Sequence, residues 1–430
     1  MALLLRGGRV IDPAQGLDMV ADVLVEGSRI SAITTGSGMS RPDVEVVDVT
    51  GKIVGPGLID AHAHLREPGL EYKEDILSAS RAAVKGGYTG VMAMPDTDPP
   101  VDNAAMVQFI YTRGRQAGLA RVFPVGAVTA GRKGEKLAEI GYAAQAGAVA
   151  FSDDGQPIAN SEILRRALEY LRPLKRPLID HCQDANLSGR GVMHEGLVSF
   201  ELGLEGIPSA AEEVAVARDL ILSAYTGARI HLAHLSAKGS VSMLAQAKEK
   251  GIPVTAEVTP HHLILTHEVL RTYDTNTKVN PPLRTEEDRQ ALLQALRQGL
   301  IDIIATDHAP HASHEKRVDF NQAPFGISGL ETALPLVVTY LVKPGYLSWM
   351  EAIARMSTNP AQIFGLPGGN LRVGSLADLV VIDPETVKEV RPEDFASKGK
   401  NNPFIGQKLS GWPVMTIVGG RIVMRDGEVI

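Results

Sequence analysis

The feature that most constrains this chain is an alternation repeated through its middle three hundred residues. Apolar runs of strand length lie at 53–61, 89–94, 121–128, 147–152, 176–181, 228–234, 252–259 and 302–307. Most are followed by a stretch of helical composition: 75–86, 103–117, 160–171, 210–226, 238–250 and 285–298. Near-continuous apolar runs, rather than strict alternation, mark strands covered on both faces. Eight β-α units of this kind predict an α/β fold, a TIM (β/α)8 barrel with a packed interior and its chemistry at the C-terminal ends of the strands.

The ends of the chain read differently. Short strands separated by Gly7-Gly8, Asp12-Pro13 and Glu26-Gly27 fill residues 1–52, and a similar set, broken by Pro384, Gly419-Gly420 and Asp426-Gly427, fills the last fifty. Neither set has enough strands to bury a sheet alone. The expected organisation is one small β-sandwich domain built from both termini, 1–54 with 366–430, beside a catalytic barrel at 55–365.

Bulk properties exclude several functions. The 430 residues are 44% hydrophobic and 22% charged, with 50 acidic against 43 basic residues and a net charge of −7. No basic block points to nucleic acid. The single cysteine, Cys182, rules out an internal disulfide and a cysteine zinc finger, and fits a reducing cytoplasm. The N-terminal apolar run is too short for a signal peptide, and the longest candidate for a membrane span, Ala333–Val342, is half the needed length and contains a proline. A cytoplasmic location is expected.

Chemistry-bearing residues gather where the barrel predicts them. The first strand ends in His62-Ala63-His64, and side-chain alternation puts both imidazoles on one face. Alone this is weak, since a His-x-His arises by chance in about one chain in three of this composition. The fourth strand, however, ends in Asp153-Asp154, the fifth in Asp180-His181, the sixth in His231-Leu232-Ala233-His234 and the eighth in Thr306-Asp307-His308. Singly, each residue has a bland reading: a satisfied core histidine, a helix cap, a turn aspartate. Those readings leave the gathering at one end of one barrel unexplained. Imidazole and carboxylate suit Zn²⁺, and four histidines with two carboxylates exceed what one tetrahedral ion needs, so a binuclear centre is expected. His231 should face away, into the core or behind the ligands; His261 and His262 are expected behind the site, and His194, His267 and His314 on the surface. Cys182 reads as a buried structural thiol.

These residues also carry a family resemblance. Pro56-Gly57-Leu58-Ile59-Asp60-Ala61-His62-Ala63-His64 resembles the first-strand signature of the amidohydrolase superfamily. His62–Gly69, Phe151–Gly155, Lys278–Arg284, Ala305–His311 and Pro324–Glu331 resemble the bacterial class I dihydroorotases. The resemblance implies one metal on His62 and His64, a second on His181 and His234, and two zinc ions bridged by Asp154 and a hydroxide. Asp153 is the rival bridge, since neighbours on a strand face opposite ways; the motif match assigns Asp154. Asp307 would touch the first metal and serve as general base and acid. Hydantoinases and dihydropyrimidinases place a carbamylated lysine where this chain, without a lysine between Gly147 and Gln156, has aspartate.

For the substrate, the resemblance implies contacts from His64, Arg66, Asp96, Asn280 and His311, with Phe325 and Gly326 in the loop after the eighth strand. One position departs from the family: Met94-Pro95-Asp96-Thr97 stands where Met-Pro-Asn-Thr is usual. An ionised aspartate cannot donate a hydrogen bond to a substrate carboxylate as asparagine can. The implied reaction is the reversible conversion of N-carbamoyl-L-aspartate to (S)-dihydroorotate in de novo pyrimidine (UMP) synthesis. The competing readings are a hydantoinase or allantoinase, and a non-catalytic scaffold for aspartate transcarbamoylase. A homodimer, and a complex with that transcarbamoylase, are the expected partners. Segment 311–328, without clear periodicity, is expected to form a mobile cover over the site.

Overall fold

The computed structural model describes residues 2–35 and 43–430. Eight parallel strands, Leu58–Ala63, Tyr88–Ala93, Arg121–Gly126, Ala150–Ser152, Leu178–Asp180, Ile230–Leu232, Val254–Val258 and Ile303–Ile304, form one sheet in chain order. A parallel bridge from Ala63 to His308 brings the last strand back to the first, and the His64 N–H donates to the His308 carbonyl at 2.8 Å. The barrel is therefore nearly closed, and its interior is solid: Ile59, Ala61, Met92, Val125, Ala150, Ile179 and Ile303 pack there. A second apolar layer, including Val91, Leu178, Leu232 and Val258, packs against the surrounding helices.

Those helices start where local chemistry permits. Asp75 caps Ile76–Lys85 by accepting from the Ser78 N–H, and Thr285 and Asp288 form a reciprocal cap on Glu286–Arg297. The six expected helical stretches are all present, and a short helix at Ile140–Ala146 joins them. No helix among the described residues is long and apolar enough to cross a membrane.

Among the described residues, nine strands from the two ends form a second sheet. Ile53–Pro56 is its seam, running parallel to Ala2–Asp12 and antiparallel to Leu379–Glu389. Leu5, Val10, Val25, Val54, Leu379, Val381 and Ile417 share its apolar core. Gly419 and Gly420 both take positive φ, as the two-residue hairpin between Lys408–Val418 and Arg421–Arg425 requires. This sheet corrects one expectation, that 53–61 is a single barrel strand. The run divides at Gly57, where a Cβ would lie 2.1 Å from Thr89 Cγ2. Only glycine permits that approach, so residues 53–56 serve the terminal sheet and 58–63 the barrel.

Candidate metal centre

The C-terminal ends of the strands converge on Asp154. Its Oδ2 lies 3.3 Å from His62 Nε2 and 3.4 Å from His64 Nε2. Its Oδ1 lies 3.4 Å from His234 Nε2 and 3.7 Å from His181 Nδ1. One carboxylate thus presents one oxygen to each of two histidine pairs. Asp307 joins the first pair, with Oδ1 3.1 Å from His64 Nε2 and 3.7 Å from His62 Nε2. All six side chains are buried. Asp153 faces away: its carboxylate accepts from the Val128 and Thr129 N–H groups and from the Thr129 hydroxyl.

The groups at the centre fit divalent ions. His62 Nε2 and Asp154 Oδ1 are buried polar atoms without a hydrogen-bond partner, a costly condition unless something else binds them. The ligand atoms of His62, His64 and Asp307, and those of His62, Asp154 and His234, lie within 4.8 Å of one another. Burial works against charge throughout, yet Asp154 and Glu257 hold the His62 imidazole well above its ordinary value. Asp154 is correspondingly held well below the usual carboxylate range by His62, His181 and His234. Asp307, despite burial, is drawn down to about 2 by the hydrogen bond to His64 and by the charges of His62 and His64. A site that pulls protons onto its imidazoles so strongly offers the same field to a metal ion, which displaces them.

Backbone conformation aims these groups. His234, Asp307 and Arg66 take φ of 29°, 48° and 64°, where non-glycine residues are sparse and the cost is roughly 1–3 kcal/mol each. All three lie just past strand ends, where the chain turns side chains into the mouth.

Around this centre stand the residues expected to meet a substrate. Arg66 Nη1 donates to Asp96 Oδ2 at 2.6 Å, and the other Asp96 oxygen lies 2.8 Å from His64 Nδ1. Asp96 therefore faces both, and burial notwithstanding, His64 and Arg66 hold it well below the ordinary range as an anion. Asn280 Nδ2 donates to Gln183 Oε1 at 2.8 Å and lies 3.3 Å from His181 Nε2, while its Oδ1 has no partner. His311 Nε2 donates to the Phe325 carbonyl at 2.8 Å. The Gly326 N–H donates to the Lys278 carbonyl and its own carbonyl accepts from Asn401 Nδ2, so both of its peptide groups are paired within the protein. A Cβ at Gly326 would meet Ala309 at 2.7 Å; the glycine lets this loop close onto the strand-eight end.

The segment 311–328 carries a short helix, Ser313–Lys316, and is tied down by two buried lysines. Lys278 Nζ donates to the Phe320 and Asn321 carbonyls, and Lys316 Nζ to those of Thr275 and Pro324.

Three supporting residues escaped the sequence reading. Glu257, one residue before the end of the seventh strand, lies 2.6 Å from His62 Nδ1; its only signal was a carboxylate inside an apolar run. Gln183 Oε1 lies 2.7 Å from His181 Nε2, on the other side of the ring from the Nδ1 that faces Asp154, two residues beyond a predicted ligand. Asn401 accepts from the His311 N–H and comes from the distant C-terminal segment, which gave no signal. Among the other histidines, His231 is buried against Glu257, and His262 Nε2 donates to the Pro281 carbonyl behind the site. His314 is exposed and His267 partly so, but His194, expected on the surface, is buried between His267 and Arg284. Cys182 is buried beside Asp180 and Asp219, both of which pair with Arg218.

Comparison with known proteins accounts for this geometry. Residues 51–240 match the family described as dihydro-orotase-like, and residues 244–424 match the amidohydrolase family. A dihydroorotase of Pelotomaculum thermopropionicum is 51% identical over 99% of this chain and 99% of its own. The chain belongs to the dihydroorotase family. A dihydroorotase of Pelobacter propionicus is likewise 51% identical, over 99% of this chain and all of its own length. Among solved structures, an L-hydantoinase (dihydropyrimidinase) from Arthrobacter aurescens superposes with a TM-score of 0.89 at 27% identity, covering 100% of this chain and 97% of that one. Membership in the dihydroorotase family makes the chain a hydrolase of cyclic amides in the amidohydrolase superfamily, and agrees with the metal centre that the histidines and carboxylates outline.

Proposed function

We propose that this chain is a zinc-dependent dihydroorotase that interconverts N-carbamoyl-L-aspartate and (S)-dihydroorotate, the ring-closing step of pyrimidine synthesis. The observation that carries the reading is Asp154, with one oxygen toward His62 and His64 and the other toward His181 and His234. His62, His64 and Asp307 would hold one zinc ion, His181 and His234 the other, and Asp154 both. When bound, two such ions supply an activated water at neutral pH and polarise the ring carbonyl.

The chain's own residues do the rest. Asp307, ionised before the attack, accepts the proton of the attacking water and returns it to the leaving amide nitrogen. In the reverse direction it takes the proton from the ureido nitrogen as the C–N bond forms and delivers it to the oxygen breaking away from the carboxyl carbon, which leaves as water. Arg66 reaches the substrate carboxylate from the side opposite Asp96, and His64 lies against the same end of the ring. Asn280, with its free Oδ1, and His311 orient the ring's polar edge. Phe325 and Gly326 wall the site and, with the loop tethered by Lys278 and Lys316, keep bulk water out. This work needs a small, carboxylate-bearing cyclic amide, and the buried Arg66 supports dihydroorotate over an uncharged ring. The protein is read as cytoplasmic and homodimeric, with aspartate transcarbamoylase as a candidate partner.

Initial rates on a panel of dihydroorotate, hydantoin, dihydrouracil and allantoin test this directly. The proposal expects dihydroorotate to dominate in kcat/KM by orders of magnitude. Preferential cleavage of hydantoin or allantoin would overturn it.

A further inference from the structure

Glu257 is a carboxylate in the interior of a barrel, 1% exposed, and the reaction does not use it. Burying such a charge costs several kcal/mol unless it is paired and hydrogen-bonded on every side. Its partners are the observation of interest. Oε1 lies 2.6 Å from His62 Nδ1, and Oε2 lies 3.2 Å from His231 Nε2, whose Nδ1 in turn is 2.7 Å from the Thr255 hydroxyl. The His234 N–H points at Oε1 from 3.4 Å, and the next N–H, that of Leu235, donates to the Glu257 backbone carbonyl at 2.9 Å.

Two consequences follow. An ionised carboxylate only accepts, so the proton of neutral His62 must sit on Nδ1, leaving the Nε2 lone pair to face Asp154 and Asp307. His234 holds a left-handed backbone at φ 29°, and Glu257 grips it at consecutive N–H groups, one by side chain and one by main chain. His62 belongs to the first histidine pair and His234 to the second. A single side chain thus fixes the tautomer of a ligand in one half of the centre and the backbone of a ligand in the other.

We infer that Glu257 is a positioning residue for both halves of the metal centre, orienting His62 through Nδ1 and His234 through its N–H. The inference rests on the proposed metal centre. Partners behind metal-bound histidines are worth about 10- to 100-fold in metal affinity. Glu257→Gln keeps the shape, but it lacks the charge and has one acceptor oxygen in place of two.

The test is zinc titration of metal-free wild type and Glu257→Gln in competition with a chromophoric chelator. Folding of each metal-free protein is checked by its thermal midpoint. The expected result is about 10- to 100-fold weaker zinc binding by folded Glu257→Gln. Wild-type affinity in the folded variant would overturn the inference, leaving Glu257 a packing residue. Should the variant not fold, the zinc-loaded wild type labelled with 15N at histidine decides the matter. A His62 resonance pattern with the proton on Nδ1 and metal on Nε2 is expected; the opposite tautomer overturns the inference. Failure of the wild type itself to bind zinc would instead sink the metal-centre reading.

Discussion

Asp96 is where this chain departs from the usual asparagine, and replacing it with asparagine is the most informative single change. In the structure Asp96 takes a hydrogen bond from Arg66 Nη1 at 2.6 Å and lies 2.8 Å from His64 Nδ1. A substrate carboxylate bound on the far side of the guanidinium would sit ~7 Å from the Asp96 charge. At an effective dielectric constant of ~20 that repulsion is ~2 kcal/mol. Asp96→Asn removes it and leaves the guanidinium short of a counter-charge until substrate supplies one. Both effects share a sign. Since 1.4 kcal/mol is tenfold, KM for dihydroorotate should fall about 30-fold, with kcat changing less than about threefold. His64 Nδ1 keeps an oxygen beside it but loses the charged one, so zinc affinity should weaken in the same sense as for Glu257→Gln, and the kinetic comparison is made at saturating zinc. Steady-state rates with bound zinc measured in the same samples check this. A KM that stays constant or rises would refute the reasoning and make Asp96 a support for Arg66 rather than a competitor of substrate.

Other outcomes are expected on the same grounds. Asp307→Asn should lower kcat by about 10²- to 10⁴-fold, the usual range for a general acid-base group, while the protein still binds zinc; wild-type turnover would remove Asp307 from its role. Burial raises the Glu331 carboxyl to about 7 from an ordinary 4.5. The folded state then holds that proton more tightly than the unfolded chain, so this group's stabilisation is complete below 4.5 and is lost as pH rises through about 7. Thermal midpoints of Glu331→Gln should accordingly show a flatter decline across that window than those of the wild type. Lys278→Met leaves the Phe320 and Asn321 carbonyls without their shared ammonium. The cost should be roughly 1–3 kcal/mol, read as faster limited proteolysis within 311–328; unchanged cleavage would mean the lysine does not hold the loop.

How much of this was visible in the residues follows from the range of each interaction. The barrel was legible because each strand is an apolar run buried on both faces, and the gathering of histidines and carboxylates because strand ends carry the site in such a fold, while the family resemblance supplied which of them would hold metal. The double aspartate was harder: only tertiary structure shows Asp153 turned to Thr129 and Asp154 to the histidines. The division at Gly57 was hidden because apolar character runs straight through it; the reason lies in Thr89, a neighbour from another strand. His194 reads as a surface residue in a polar loop, yet a two-stranded ribbon, Met193–His194 with Gly206–Ile207, carries it inward toward Arg284. Glu257 and Asn401 act through contacts spanning 195 and 90 residues, which no local pattern encodes.

Asp154 and its two histidine pairs are proposed to hold two zinc ions that dihydroorotate hydrolysis requires. The most direct measurement follows dihydroorotate turnover in one preparation through chelation and stepwise zinc return, with zinc per chain determined at each step. Activity should vanish on chelation and return in full as occupancy reaches two per chain. Full turnover by the zinc-free protein, or full activity with less than one ion per chain, would contradict the account.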